Sequence, residues 1–183
     1  MDGNGADKYA HFIDLCDTFN LPLVIFLDMP GFMLGSHAER MATMRRGARA
    51  LIASAECKVP KIEFMVRKSY GVAADAPNSI GLPNGINLRF GWPSGEWGGI
   101  PIEGGVAAAY RREIAEAEDP DAHRENIENR LLKLRSPFRA AHKGDVVDLI
   151  DPRDTRAIAA RFVKLAQPKL SELAKRDKRA VRP

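Results

Sequence analysis

The sequence predicts an α/β fold, with a mostly parallel sheet flanked by helices, on three observations. Segments with helical spacing alternate with short apolar runs in the order helix, strand, helix, strand. The run at 21–27, Leu-Pro-Leu-Val-Ile-Phe-Leu, is continuously apolar, as suits a strand covered on both faces in a parallel sheet. The 183 residues are 45% hydrophobic and 28% charged, enough for one domain with a real core.

The elements follow in order. Residues 5–19 carry Tyr9, Phe12, Ile13, Cys16 and Phe19 at three- and four-residue spacing, which predicts a helix with one apolar face. Asn20 and Pro22 end it, and the strand at 21–27 is stopped by the turn chemistry of Asp28-Met29-Pro30-Gly31. A second helix is predicted over 38–57, with Met41, Met44, Ala48, Leu51, Ile52 and Ala55 inward, then a second strand over 59–66. Parallel strands joined by helices cross over right-handed. After the small residues at 71–76, the Pro, Gly and Asn of 77–85 predict a loop, and 86–92 a short strand. Helices are expected over 106–118 and 122–134, and a last one from near Asp154. One domain is expected over 1–170, followed by a basic flexible tail at 171–183.

Composition excludes several classes. No stretch of around eighteen apolar residues spans a membrane, and the first residues lack the basic start and apolar run of a signal peptide. The net charge of +4 is concentrated in the tail, where no aromatic residue offers a stacking platform, so no nucleic-acid partner is expected. Cys16 and Cys57 read as buried free thiols, and the expected setting is cytoplasmic.

No metal site is expected, because His11, His37, His123 and His142 are far apart and no His/Cys/Asp cluster has ligand spacing. There is no nucleophile elbow, no P-loop, and no dinucleotide fingerprint in the glycine-rich 95–105 segment. What remains is backbone. Gly71-Val72-Ala73-Ala74 follows a strand and opens a helix; small side chains there either pack helix on sheet or let a ligand oxygen reach free N–H groups. Asp28 ends a buried-looking strand, where α/β proteins place sites, although such a residue also caps turns.

Ordered blocks along the chain carry a resemblance. They are Ala6-Asp7-Lys8-Tyr9-Ala10-His11-Phe12-Ile13, Phe26-Leu27-Asp28-Met29-Pro30-Gly31-Phe32, Arg45-Arg46-Gly47-Ala48, and Val59-Pro60-Lys61. Arg67-Lys68-Ser69-Tyr70-Gly71, Gly91-Trp92-Pro93-Ser94 and Asp151-Pro152-Arg153-Asp154-Thr155-Arg156 follow. Together they resemble the carboxyltransferase (beta) subunits of biotin-dependent acyl-CoA carboxylases, C-terminal domain only. The resemblance implies a crotonase-like fold and transfer of a carboxyl group from carboxybiotin to the α carbon of an acyl-CoA. It implies biotin on a separate carrier protein, an acyl-CoA substrate, and no metal. It further implies a biotin carboxylase or biotin carrier partner, a missing N-terminal carboxyltransferase half, and a homo-oligomer, dimer or trimer of dimers.

Carried over by position, the resemblance puts the backbone oxyanion hole on Gly71, Val72 and Ala73, with the amides of Val72 and Ala73 facing the biotin oxygen. Asp75 falls where acyl-chain size is tuned, unless it is a plain surface residue. Tyr70, Asp28 and Gly31 fall along the same substrate cleft. Three departures stand out. Val72 replaces a usual second glycine, 76–85 replaces a helix with loop chemistry, and the chain begins far inside the family pattern. The third suggests that the fragment alone is inactive. Alternatives are a malonyl-type CoA decarboxylase subunit and a non-catalytic assembly module.

Overall fold

A computed structural model describes residues 1–75, 86–102 and 104–176. Helix α1 (Gly3–Phe19) begins where the Asp2 carboxylate accepts the Gly5 N–H at 2.7 Å, and ends at Asn20 in the left-handed region. Strand β1 (Leu23–Met29) follows, then α2 (Ser36–Arg40), α3 (Thr43–Glu56) and strand β2 (Lys61–Tyr70). Helix α4 (Gly71–Asp75) leads toward β3 (Asn87–Gly91) and β4 (Glu96–Gly98). Helices α5 (Gly105–Ala109), α6 (Arg111–Ala115), α7 (Pro120–Leu134) and α8 (Pro137–Lys143) precede β5 (Asp148–Leu149). A 3₁₀ turn at Pro152–Asp154 opens α9 (Thr155–Leu173).

The sheet runs β1-β2-β3-β5, and every pairing among the described strands is parallel, as predicted. Strand β2 is the spine. Its first half pairs with β3 from Lys61↔Asn87 to Met65↔Gly91, and its last three residues pair with β4. One face carries Ile62, Phe64, Leu88 and Phe90 against Phe162 and Ile158 of α9. The rings of Phe26, Phe64 and Phe90 stack across three strands at 5.6 and 6.0 Å. The other face carries Leu23 and Ile25 against α1 and α3. It also carries Lys61, whose ammonium donates to the carbonyl and hydroxyl of Ser54 and whose pKa burial lowers.

The helix faces depart from the periodic reading. In α1, Phe12 and Phe19 are exposed, and the inward stripe is Ala6, Ala10, Ile13, Cys16 and Asp17. In α3, Met44 and Ile52 are exposed and Thr43, Gly47, Ala50 and Ala53 are inward. The reason is close approach: α1 and α3 pack on each other through Ala6, Ala10, Ala50 and Ala53, which only small side chains permit. Buried Asp17 is satisfied there, accepting Lys58 N–H at 2.8 Å and pairing with Arg176 at 2.8 Å.

Boundaries shift as well. The helix expected over 38–57 breaks at Ala42, which takes a left-handed conformation (φ 52°). The one over 106–118 breaks at Tyr110. Helix α9 continues past 170, and Leu170 and Leu173 join the core. The end of the expected basic tail, 177–183, lies outside the described residues, as does the expected loop at 77–85. Cys16 and Cys57 are free and buried; burial pushes the Cys57 thiol up to about 11. No helix among the described residues is long and apolar enough to cross a membrane.

Candidate active site

Strand β2 ends at Tyr70 and the chain turns at Gly71, whose φ of +61° belongs to the left-handed region. A Cβ at Gly71 would also sit 3.2 Å from the Gly99 carbonyl oxygen. Both conditions select glycine. Gly71→Ala is expected to cost about 1–2 kcal/mol in urea unfolding from the backbone conformation alone.

This junction opens onto a cleft of about 1070 Å³ at the carboxyl ends of β2 and β4. Such ends are where parallel sheets present loops and helix starts to a ligand. One wall is Ser69, Gly71, Val72 and Asp75; the next is Trp97, Gly98 and Gly99. The far wall comes from α5, α7 and α8, with Tyr110, Leu131, Arg135, Arg139 and Lys143.

Two polar networks brace the cleft. Tyr70 is buried, and its hydroxyl donates to Glu96 Oε2 at 2.9 Å; Arg135 Nη1 reaches the same oxygen at 3.4 Å. Burial, then the Glu96 carboxylate, pushes the Tyr70 phenol up to about 12, so it stays protonated and donating. Deeper in, Arg89 of β3 and Glu63 of β2 are register partners, joined at 2.7 Å with side chains 6% and 1% exposed. Arg89 Nη1 lies 4.0 Å from Asp75 Oδ1, linking the buried pair to the end of α4.

The residues named from sequence distribute as follows. Gly71, Val72, Asp75 and Tyr70 all line the cleft. Val72 is half-exposed, whereas Ala73 is wholly buried beneath it. Helix geometry leaves the amides of Val72 and Ala73 without acceptors in the helix, whereas the Gly71 N–H adjoins the parallel β2–β4 ladder at Tyr70↔Gly98. Asp28 stands away from the cleft wall. Its carboxylate accepts from Arg67 at 2.9 and 3.1 Å and from the Lys68 N–H at 3.1 Å. The Arg67 guanidinium holds its pKa below the usual carboxylate value. Gly31 also stands off the wall, in the turn after β1, where a Cβ would come within 4.0 Å of the Tyr70 carbonyl oxygen. Asp28 and Gly31 therefore hold the β1 turn against the end of β2.

Sequence reading missed Arg89, Trp97 and Arg135. No local spacing marks Arg89, which matters only because β3 lies in register beside β2. The glycines around Trp97 were the usable signal: a Cβ at Gly95 or Gly91 would strike its ring. Two resembling blocks also meet in space, since Trp92 Nε1 donates to Thr155 Oγ1 at 3.0 Å. Among the described residues, no three His, Cys, Asp or Glu side chains are grouped as metal ligands.

Comparison with known proteins gives this site its context. The carboxyl transferase domain model matches residues 1–181. The chain is 40% identical over 166 residues to the methylmalonyl-CoA carboxyltransferase 12S subunit of Propionibacterium freudenreichii subsp. shermanii, covering 90% of this chain and 31% of that protein. It is 34% identical over 178 residues to a biotin-dependent acetyl-/propionyl-coenzyme A carboxylase beta5 subunit of Mycobacterium leprae, covering 94% and 32%. The transcarboxylase 12S crystal structure, a hexamer with methylmalonyl-coenzyme A bound, superimposes over 100% of this chain and 33% of its own, with a TM-score of 0.77 and 36% identity. The chain thus spans about a third of the length of these relatives, and its fold is the crotonase-like fold of the carboxyltransferases. Matched over nearly its whole length, the chain belongs to the carboxyl transferase domain family.

Proposed function

We propose that this chain is the biotin-side part of an acyl-CoA carboxyltransferase, which moves a carboxyl group from carboxybiotin to the α carbon of an acyl-CoA. The observation that carries the reading is the Gly71–Val72 turn. It brings Gly71 and Val72 to the wall of an open cleft at the carboxyl end of the central strand, which supports the reading that their main-chain amides face a ligand. The wall fits a flat heterocycle. Gly71, Gly98 and Gly99 remove side chains from it, and Trp97 supplies a broad apolar surface. Biotin, when delivered on its carrier protein, supplies a labile N-carboxyl group to this cleft.

The chain's own residues do the rest. The Gly71–Val72–Ala73 segment holds negative charge on the ureido oxygen through backbone N–H groups, with Val72, at the cleft surface, the principal donor. These donors are preorganised by the Gly71 turn and by the buried Tyr70 ring behind it, so they need no rearrangement when charge develops. Asp75, exposed on the wall and 4.0 Å from Arg89, faces the acyl side and tunes chain size. The α-carbon proton passes to the biotin nitrogen that gives up the carboxyl group, so no side-chain base is required of this chain. The decarboxylase direction uses the same residues, so the direction is set by the partners and the acyl-CoA supplied.

The relatives are three times longer, so the reading needs the N-terminal carboxyltransferase half, a biotin carrier and oligomer contacts. Its test is carboxyl transfer from carboxybiotinylated carrier protein to a panel of acyl-CoAs, with this chain reconstituted with that half. Turnover supports the reading. Association with carrier or half but no turnover on any acyl-CoA overturns it in favour of an assembly module. Within the panel, Asp75→Ile is expected to change the ratio of rates between short and long acyl chains by about tenfold, the low end of what one buried methylene is worth, with less change in the best rate. An unchanged profile returns Asp75 to the surface.

A further inference from the structure

Arg89 carries more donors than Glu63 uses. A guanidinium can hold a carboxylate on its side-on edge, Nε with Nη2, or on its end-on edge, Nη1 with Nη2. Glu63 takes the Nε–H, at 2.7 Å. Nη2 is covered and has no hydrogen-bond partner among the described residues. Nη1 has the Asp75 carboxylate at 4.0 Å, beyond hydrogen-bond distance. A residue whose one task was to neutralise Glu63 would not need the end-on edge, and buried donors without acceptors are costly.

That edge belongs to the cleft. Arg89 lines it although its side chain is 6% exposed. Strand register fixes its place, since Glu63 and Arg89 are partners across β2 and β3. Asp75 stands beside it with a side chain 72% exposed, held among the described residues by that long contact, so it is free to swing into solvent. The lining as a whole favours an anion: the cations Arg89, Arg135, Arg139 and Lys143 outnumber the carboxylates Asp75 and Asp145.

We propose that the end-on edge of Arg89 binds a carboxylate at the end of the acyl chain remote from the thioester. The preferred acyl-CoA is then the monothioester of a dicarboxylic acid rather than a plain hydrocarbon chain. Position supports this. Asp75 closes the short helix that Gly71 opens, so Arg89, beside Asp75, stands past the Val72 amide and on the acyl side. A carboxylate only accepts hydrogen bonds, and its two oxygens match the spacing of the fork. A hydrocarbon end at the same place leaves Nη1 and Nη2 without acceptors, which is how a polar site rejects an apolar analogue. That the carboxylate sits on an acyl-CoA rests on the carboxyl-transfer reading; that the edge takes a carboxylate does not.

The test compares glutaryl-CoA with pentanoyl-CoA, matched in carbon number, in the chain reconstituted with the N-terminal half and carboxybiotinylated carrier. The ratio of kcat/KM is expected to favour glutaryl-CoA by about tenfold or more. Arg89→Lys keeps a cation beside Glu63 but offers no fork, and is expected to lower that ratio by about tenfold. Should the lysine variant fail to fold, Glu63→Leu/Arg89→Met, which strands no charge, is expected to lower it equally. A wild-type ratio near one overturns the proposal while leaving carboxyl transfer intact, and so does a high ratio that the variant retains. If no acyl-CoA turns over, calorimetric titration of the chain alone with glutarate decides. Binding that the variant weakens by about tenfold keeps the carboxylate site and removes only the transfer reading; no binding removes both.

Discussion

Arg89→Met is expected to lower the free energy of unfolding by about 3–5 kcal/mol, the usual consequence of stranding one member of a buried ion pair. Arg89 and Glu63 stand side by side on β3 and β2, almost without solvent contact, joined at 2.7 Å. Removing the guanidinium leaves the Glu63 carboxylate in the interior without this partner. The loss is a large fraction of a typical domain's total stability. The paired change Glu63→Leu/Arg89→Met is expected to restore most of it, because two apolar groups need no compensation and buried pairs are rarely net stabilisers. Urea unfolding of the two single variants and the double at neutral pH measures both effects. A single variant as stable as wild type would show that Lys61, on the same face two residues from Glu63, carries the compensation instead.

Val72→Pro is the second large effect, and it falls on rate. Proline removes the amide hydrogen that the proposal places at the biotin oxygen, and one such donor contributes about 3 kcal/mol of barrier, a rate factor of about 10² to 10³. Position 72 is in the first turn of α4, where proline's missing N–H breaks no helical bond. The fold should therefore persist, with urea unfolding within about 1 kcal/mol of wild type. In the reconstituted enzyme, kcat should fall by that factor while the KM for acyl-CoA stays near its wild-type value, because the donor acts on charge that develops late. Turnover at the wild-type rate by a folded variant would remove Val72 from the site. Ala73, wholly buried, offers a contrast: changing it is expected to disturb packing before chemistry.

The amount of this legible in the sequence differs by feature. The strands were legible in part: the apolar run at 21–27 marks β1, but the expected cover on both faces is missing, because β1 ends the sheet order and leaves Val24 and Phe26 exposed. The faces of α1 and α3 were not. Periodicity points large apolar residues inward, but here two helices approach through alanine and glycine, and Phe12, Phe19, Met44 and Ile52 are left outside. The breaks at Ala42 and Tyr110 carry no glycine or proline, so propensity had no mark to read. Strands β4 and β5 are three and two residues long, too short for any pattern.

For the candidate site, the sequence alone determined the segment proposed to carry the amides. A glycine between a strand and small residues is a local requirement, met by a left-handed turn at Gly71. Ordered blocks determined the family, since many short matches in one order are hard to produce by chance. Only the tertiary structure decided which groups share the cleft. Arg89, Trp97 and Arg135 enter through strand register and the return of α7, contacts between residues far apart in the chain. It also decided that Asp28 and Gly31 brace the β1 turn, because a carboxylate at the end of a strand pairs with whichever cation the neighbouring strand presents, here Arg67. Local conformation is set by a few adjacent residues and so can be read from them; the company a side chain keeps is set by packing, which no short stretch of sequence contains.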